Sequence, residues 1–253
     1  MSRFLQLALP MIFLITSACS VNDFQSSFQR VASSSQNPEN MVEDLDEGDD
    51  VEAPQSEENL PEDNSSTGGE EPEKILLYDK VLQNSDVPEE ALYKAFAYYD
   101  DHHDEIPNQK WITIFDIKQH SGNRRMYIIN METGDVSAIH TSHGKNSDLD
   151  HDGYATSFSN ENGSNKSSLG FMLTAETYYG KHGYSLRMDG LESRNSNVRA
   201  RAIVVHGASY VDPSWDKMGR SLGCPAVSDA NKQWVIDRIK EGSLFYIYNE
   251  DYE

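Results

Sequence analysis

Two residues near the C-terminal end of the chain have types and spacing that could do chemistry. His206 ends the apolar run Ala-Ile-Val-Val and is followed by Gly207. Cys224 stands 18 residues later, between Gly223 and Pro225. An imidazole within reach of a thiol can take its proton, or form a thiolate–imidazolium pair with it. The only other cysteine is Cys19. A lone thiol in an exported chain is a reactive group, a buried filler or an intermolecular partner. The setting of Cys224 favours the first. A helix is predicted to begin a few residues beyond it. Backbone N–H groups at such a start favour a thiolate and can stabilise an oxyanion. On that reading Cys224 reacts with alkylating agents well below the free-thiol pKa of about 8.5.

Export is read from the first 19 residues, MSRFLQLALPMIFLITSAC. Arg3 gives a positive start, an apolar stretch too short to span a bilayer follows, and small residues precede Cys19. A cysteine in that place resembles a bacterial lipoprotein signal, in which the thiol is lipidated and becomes the new N-terminus. That family usually has Leu three residues before the cysteine, where this chain has Thr16. Ordinary secretion with cleavage near Ala18 is the alternative. Lipidation would leave Cys224 as the single free thiol and anchor the chain to a membrane.

Residues 20–74 read as an acidic, disordered linker. Residues 36–73 contain no Lys or Arg, and their acids supply most of the net charge of −21. Dense like charge with few apolar residues cannot offset chain entropy. The acidity argues against a nucleic-acid partner.

The folded part, residues 75–253, is long enough for one domain with a core. A helix is expected from Pro88, with Ala91, Leu92, Ala95, Phe96 and Tyr99 on one apolar stripe. Strands are expected at 111–116, 125–130, 135–142, 170–173, 185–188 and 202–205, with another at 243–249. A helix capped by Ser228 and stopped at Gly242 precedes the last of these. The fold class is mostly β with marginal helices.

The order His then Cys with a short gap separates this chain from papain-like and NlpC-type hydrolases, which run Cys then His. Sortases have the same order but a longer gap and a following Arg. The pattern resembles the L,D-transpeptidase (YkuD-like) catalytic domains. That family carries a His and, some 16 to 18 residues on, Ser-His-Gly-Cys; here the segment is Ser221-Leu222-Gly223-Cys224. The family's upstream Thr-Pro-x-Gly is similar to Ser167-Ser168-Leu169-Gly170. SSLGFMLTAETYYGKHGYSLR and GRSLGCPA also resemble a murein L,D-transpeptidase branch of bacterial lipoproteins.

The resemblance covers roughly residues 110–248 and implies a chemistry. Cys224 is the nucleophile, His206 the base, and the N–H groups of Gly223 and Cys224 are oxyanion donors. The substrate is the peptidoglycan stem peptide, the product a 3→3 cross-link, and no metal or organic cofactor is needed. The location is the bacterial cell envelope, on its periplasmic side. Arg220, Ser221, Gly207, His182 and Arg187 are the candidate substrate contacts. Leu222 replaces the family histidine, and Ala226 stands where the family usually has Arg or Asn. Alternative readings are an L,D-carboxypeptidase that trims stems, and a non-catalytic lipoprotein that binds or anchors the wall. Three other features stay open. His143 and His182 line a cleft or are structural. Asp148, Asp150 and Asp152 begin like a calcium loop, but Ser159 stands where a bidentate Glu is expected, so an acidic turn is the stronger reading. Tyr178, Tyr179, Tyr184, Tyr210 and Trp215 form a wall for sugar or peptide, or pack the core and its rim.

Overall fold

The computed structural model describes residues 70–252. The signal segment, Cys19 and residues 20–69 of the acidic run lie outside the described residues. Eight strands form one sheet: β1 (Trp111–Asp116), β2 (Met126–Asn130), β3 (Val136–Ile139), β4 (Gly170–Gly180), β5 (Gly183–Gly190), β6 (Val204–Gly207), β7 (Ala226–Val227) and β8 (Leu244–Tyr248). Helices α1 (Glu70–Asn84) and α2 (Glu89–Asp101) precede the sheet, and α3 (Lys232–Ile239) lies between β7 and β8. Helix α1 takes in the last residues of the acidic run and passes position 75 without a break.

The spatial order is β3-β2-β1-β8-β4-β5-β6-β7. Pairs β1·β8 and β6·β7 are parallel and the rest antiparallel. The sheet curls until its two ends meet. Beyond β3, the Ser142 N–H and the Thr141 hydroxyl both donate to the Ala226 carbonyl of β7, each at 2.9 Å. Gly144 then bridges Ser221 in parallel. Closure of this kind removes free sheet edges and gives the sheet a barrel-like form.

The strands lie where the β-branched and aromatic runs predict them. Phe115, Met126, Ile128, Met172, Leu186, Met188, Val205, Phe245 and Ile247 point into one buried cluster, which α3 closes with Val235, Ile236 and Ile239. Helix α2 buries Ala91, Leu92, Ala95, Phe96 and Tyr99, the expected stripe, and Pro88 is its N-cap.

Several elements depart from expectation: α1 was not predicted, β6 lies at Val204–Gly207 and not 202–205, and α3 has Asn231, not Ser228, as its N-cap. Strand β4 runs on to Gly180 and turns through Lys181-His182 into β5, with Gly180 facing Gly183. Lys181 and His182 do not take positive φ, and Gly183 after them sits at φ +70°, the left-handed residue that follows a type I turn and that a side chain resists. Strand β7 was not expected at all. It separates Cys224 from α3, whose first residue is Lys232. The helix-start effect on the thiol therefore does not operate, since that field fades within a turn.

Candidate active site

His206 lies on strand β6, and the Cys224 thiol borders the same stretch of chain. His206 pairs with Ala226 of β7, two residues beyond Cys224. The thiol lies beside β6, donating to the Ala202 carbonyl at 3.6 Å and bonding the backbone at Val204. The register sets Ala226 opposite His206, and the thiol two residues earlier bonds the chain at Ala202 and Val204, so thiol and imidazole both border the β6 segment. The His206 Nδ1–H donates to the Gly207 carbonyl at 2.9 Å. A carbonyl only accepts, so Nδ1 carries the proton and Nε2 keeps the lone pair of a base.

Both groups are neutral at rest. Burial pushes the Cys224 thiol up, against the backbone bond at Val204 and the nearby Arg201 charge. Burial pushes the His206 imidazole down from its ordinary value; Gly207 and Asp229 oppose this, and His182 and Lys232 add to it. The expected low-pKa thiolate is thus replaced by a thiol that ionises as His206 receives its proton. Alkylation of the free protein should be slow at pH 7 and rise only above the ordinary thiol range. Iodoacetamide rates measured against pH check this.

The segment from Ser221 to Cys224 is folded by Ser221. Its hydroxyl donates to the Cys224 carbonyl at 2.7 Å and accepts from the Gly223 N–H at 3.1 Å. The Gly223 N–H is therefore engaged, a correction to its expected part as an oxyanion donor. Among the described residues no acceptor holds the Cys224 N–H. Gly223 itself has φ +127°, and a Cβ there would meet Lys166 O and Ile203 at 2.8 Å, so its role is conformational. Ser221 is buried and faces the turn, not a ligand.

The remaining candidates separate. Arg220 donates to the carbonyls of Lys145, Asp148 and Leu149 and straps that loop to the nucleophile segment. Arg187 is held by Glu176 at 3.1 Å and lies over the Tyr178 ring, away from any carboxylate-receiving role. Gly207 lies against the side chains of Asp229 and Lys232, which would have to shift to admit a Cβ. His182 does reach the site: its ring stacks on His206 with centroids 4.1 Å apart. Leu222 is 62% exposed at the tip of the turn, whereas Ala226 is fully buried.

Reading the sequence missed Arg201 and Arg125, and gave Tyr210 and His143 no part beside the nucleophile segment. Arg201 ties Ser159, Ser164, Lys166 and Ser168 together beside the thiol. Tyr210 lies near Cys224, bonded to Ser142, with its phenol pushed up to about 12 chiefly by burial, so it stays a donor. Under the nucleophile segment runs a buried chain: Arg125 Nη2 donates to His143 Nδ1 at 2.9 Å, and His143 Nε2–H donates to Asp148 Oδ2 at 3.1 Å. The His143 carbonyl accepts the Ser221 N–H at 2.8 Å.

Burial and Arg125 push His143 down to about 4, against the Asp148 bond. The unfolded chain binds that proton near pH 6.5. Stability is then complete above pH 6.5 and falls as pH drops towards 4. The expected loss between pH 7 and pH 5 is about 2 kcal/mol from this group. Urea unfolding at both pH values, with His143→Gln showing the smaller pH dependence, measures it. Asp148 also holds the Asp152 and Gly153 N–H groups, so these bonds organise the acidic turn. Asp148, Asp150 and Asp152 do bring their carboxylates within 4.8 Å of one another.

The L,D-transpeptidase catalytic domain family matches residues 83–248, well over half of the chain. The chain belongs to the L,D-transpeptidase catalytic domain family. Similar solved structures include an L,D-transpeptidase from Mycobacterium smegmatis, at 14% identity and TM-score 0.36, covering 55% of this chain and 59% of that one. L,D-transpeptidase 3 from Mycobacterium tuberculosis is 12% identical, with TM-score 0.36 and coverage of 55% and 61%. The chain thus spans about three fifths of the length of these transpeptidases. No curated protein sequence matches the chain. Among the described residues no helix is long and apolar enough to cross a membrane.

Proposed function

We propose that this L,D-transpeptidase domain acts on peptidoglycan tetrapeptide stems through a Cys224 thioester. The observation that carries the reading is the His206 ring, held by Gly207 through Nδ1, on the strand whose backbone at Val204 the Cys224 thiol also bonds. His206 takes the thiol proton as sulfur attacks the carbonyl of the L-centre of the third residue. The oxyanion is met by the Cys224 N–H. The terminal D-alanine leaves with the proton held by His206. The side-chain amine of a neighbouring stem then attacks the thioester, gives its proton to His206, and forms a 3→3 cross-link as the thiol is restored. Neither step calls for a metal or organic cofactor.

Cys19, as a lipidated N-terminus, would place the domain at a membrane of the bacterial cell envelope. Incubation of the protein with tetrapeptide-rich peptidoglycan, followed by mass analysis, tests the activity. The expected products are 3→3 dimers and free D-alanine. Tripeptide alone, with acceptor stems present, would make the protein an L,D-carboxypeptidase. An unchanged wall would favour the anchoring reading.

Leu222 bears on that choice. It is exposed, so it dries the thioester only once a bound stem covers it. Covered, it excludes water while a positioned amine still reacts. Leu222→His should raise the ratio of tripeptide to 3→3 dimer several-fold in one digest.

A further inference from the structure

The tip of the β4–β5 hairpin contributes a residue to the catalytic centre. The two-residue turn between Gly180 and Gly183 carries Lys181 and His182. His182 is exposed on one side and lies on the His206 ring on the other, with centroids 4.1 Å apart and planes within 25°. Other charged groups approach His206 from different elements. Asp229 comes from the segment after β7, and Lys232 from the first turn of α3, the two paired at 3.5 Å. Lys232 also lies close under Gly183, so hairpin tip, helix start and base form one cluster.

We propose that His182 is the positioning residue for the base, holding the His206 ring against the nucleophile segment and setting by its own charge how readily His206 is protonated. This rests on His206 being the base of the acyl transfer proposed above. The Gly207 bond fixes one edge of the ring; without a second contact the ring can still tilt about that bond. A neutral His182 face supplies the contact by stacking while an imidazolium forms during attack. A protonated His182 repels that imidazolium, since two like charges at this separation disfavour each other. The acyl-transfer chemistry is thereby coupled to the tip of the β4–β5 hairpin through the His182 ring.

The test uses the full chain with His182→Ala and His182→Phe. The His206 ring titration is followed by NMR without substrate, and kcat and KM are measured against pH on a purified disaccharide tetrapeptide. His182→Ala should move the His206 midpoint up by ~0.5 unit. It should also lower kcat about tenfold with KM little changed. His182→Phe, which keeps a flat ring, should restore most of kcat. An unmoved His206 midpoint, or a change in KM alone, would overturn the proposal. If the unaltered protein turns over no muropeptide, the acyl-transfer reading fails, and the NMR shift still decides whether His182 governs His206.

Discussion

A Cys224→Ala protein incubated with tetrapeptide-rich peptidoglycan should yield neither 3→3 dimer nor tripeptide, a fall in rate of roughly 10^4-fold or more. The sulfur is the only atom in the proposed cycle that forms a covalent bond to the acyl group, and alanine offers nothing in its place. The same substitution should leave folding almost unchanged. The thiol's side-chain hydrogen bond to Ala202 is long, at 3.6 Å, and the segment's shape is held by Ser221 and Gly223. Thermal unfolding of the two proteins should therefore coincide within a few degrees. A variant that kept the tripeptide product would show that water, not sulfur, attacks the stem. His206→Gln should sit between the two, because a neutral thiol still ionises slowly at high pH. Its rate should recover part of the loss as pH rises.

Arg125→Leu should be the most damaging change outside the nucleophile pair. The guanidinium is fully buried and donates to the carbonyls of Thr141, Ile117 and Gln119 as well as to His143 Nδ1. Leucine leaves these acceptors buried with no donor and no water. A loss of about 3–5 kcal/mol in stability is expected. The urea midpoint of the variant measures it. Activity should fall further than stability alone explains, because His143 presents the carbonyl that receives the Ser221 N–H. Arg125→Lys should recover only part of the midpoint. An ammonium is one point of donation, where the guanidinium reaches several carbonyls at once. If Arg125→Leu unfolds at the same urea concentration as the unaltered chain, the buried network is not what supports the nucleophile segment.

Much of the architecture was legible in the chain. The apolar stripe of α2 could be named residue by residue because a helix repeats its environment every three or four positions. Strand β1 was expected where it lies because Trp-Ile-Thr-Ile-Phe-Asp is a local run of residues that fit a pleated surface. His206 and Cys224 could be singled out as candidates for a chemical reason. A histidine at the end of a strand and a cysteine held between Gly223 and Pro225 are unusual in both type and setting.

Tertiary structure decided what each of these groups can do. Strand β7 has two residues and no periodicity to betray it; it exists because β6 offers an edge in register. Its presence moves α3 away from Cys224, so burial sets the thiol's ionisation and not a helix terminus. The Gly223 N–H was expected to face substrate, but the Ser221 hydroxyl takes it when the segment folds back on itself. Arg187 and Arg220 read as free cations until Glu176 and the carbonyls of the 145–149 loop are seen around them. His182 and His206 are 24 residues apart in the chain, and only the hairpin stacks their rings. The common reason is physical. Residue type and short-range spacing set what a side chain is able to do, while burial, hydrogen-bond partners and neighbouring charge are long-range properties that exist only after the sheet has closed.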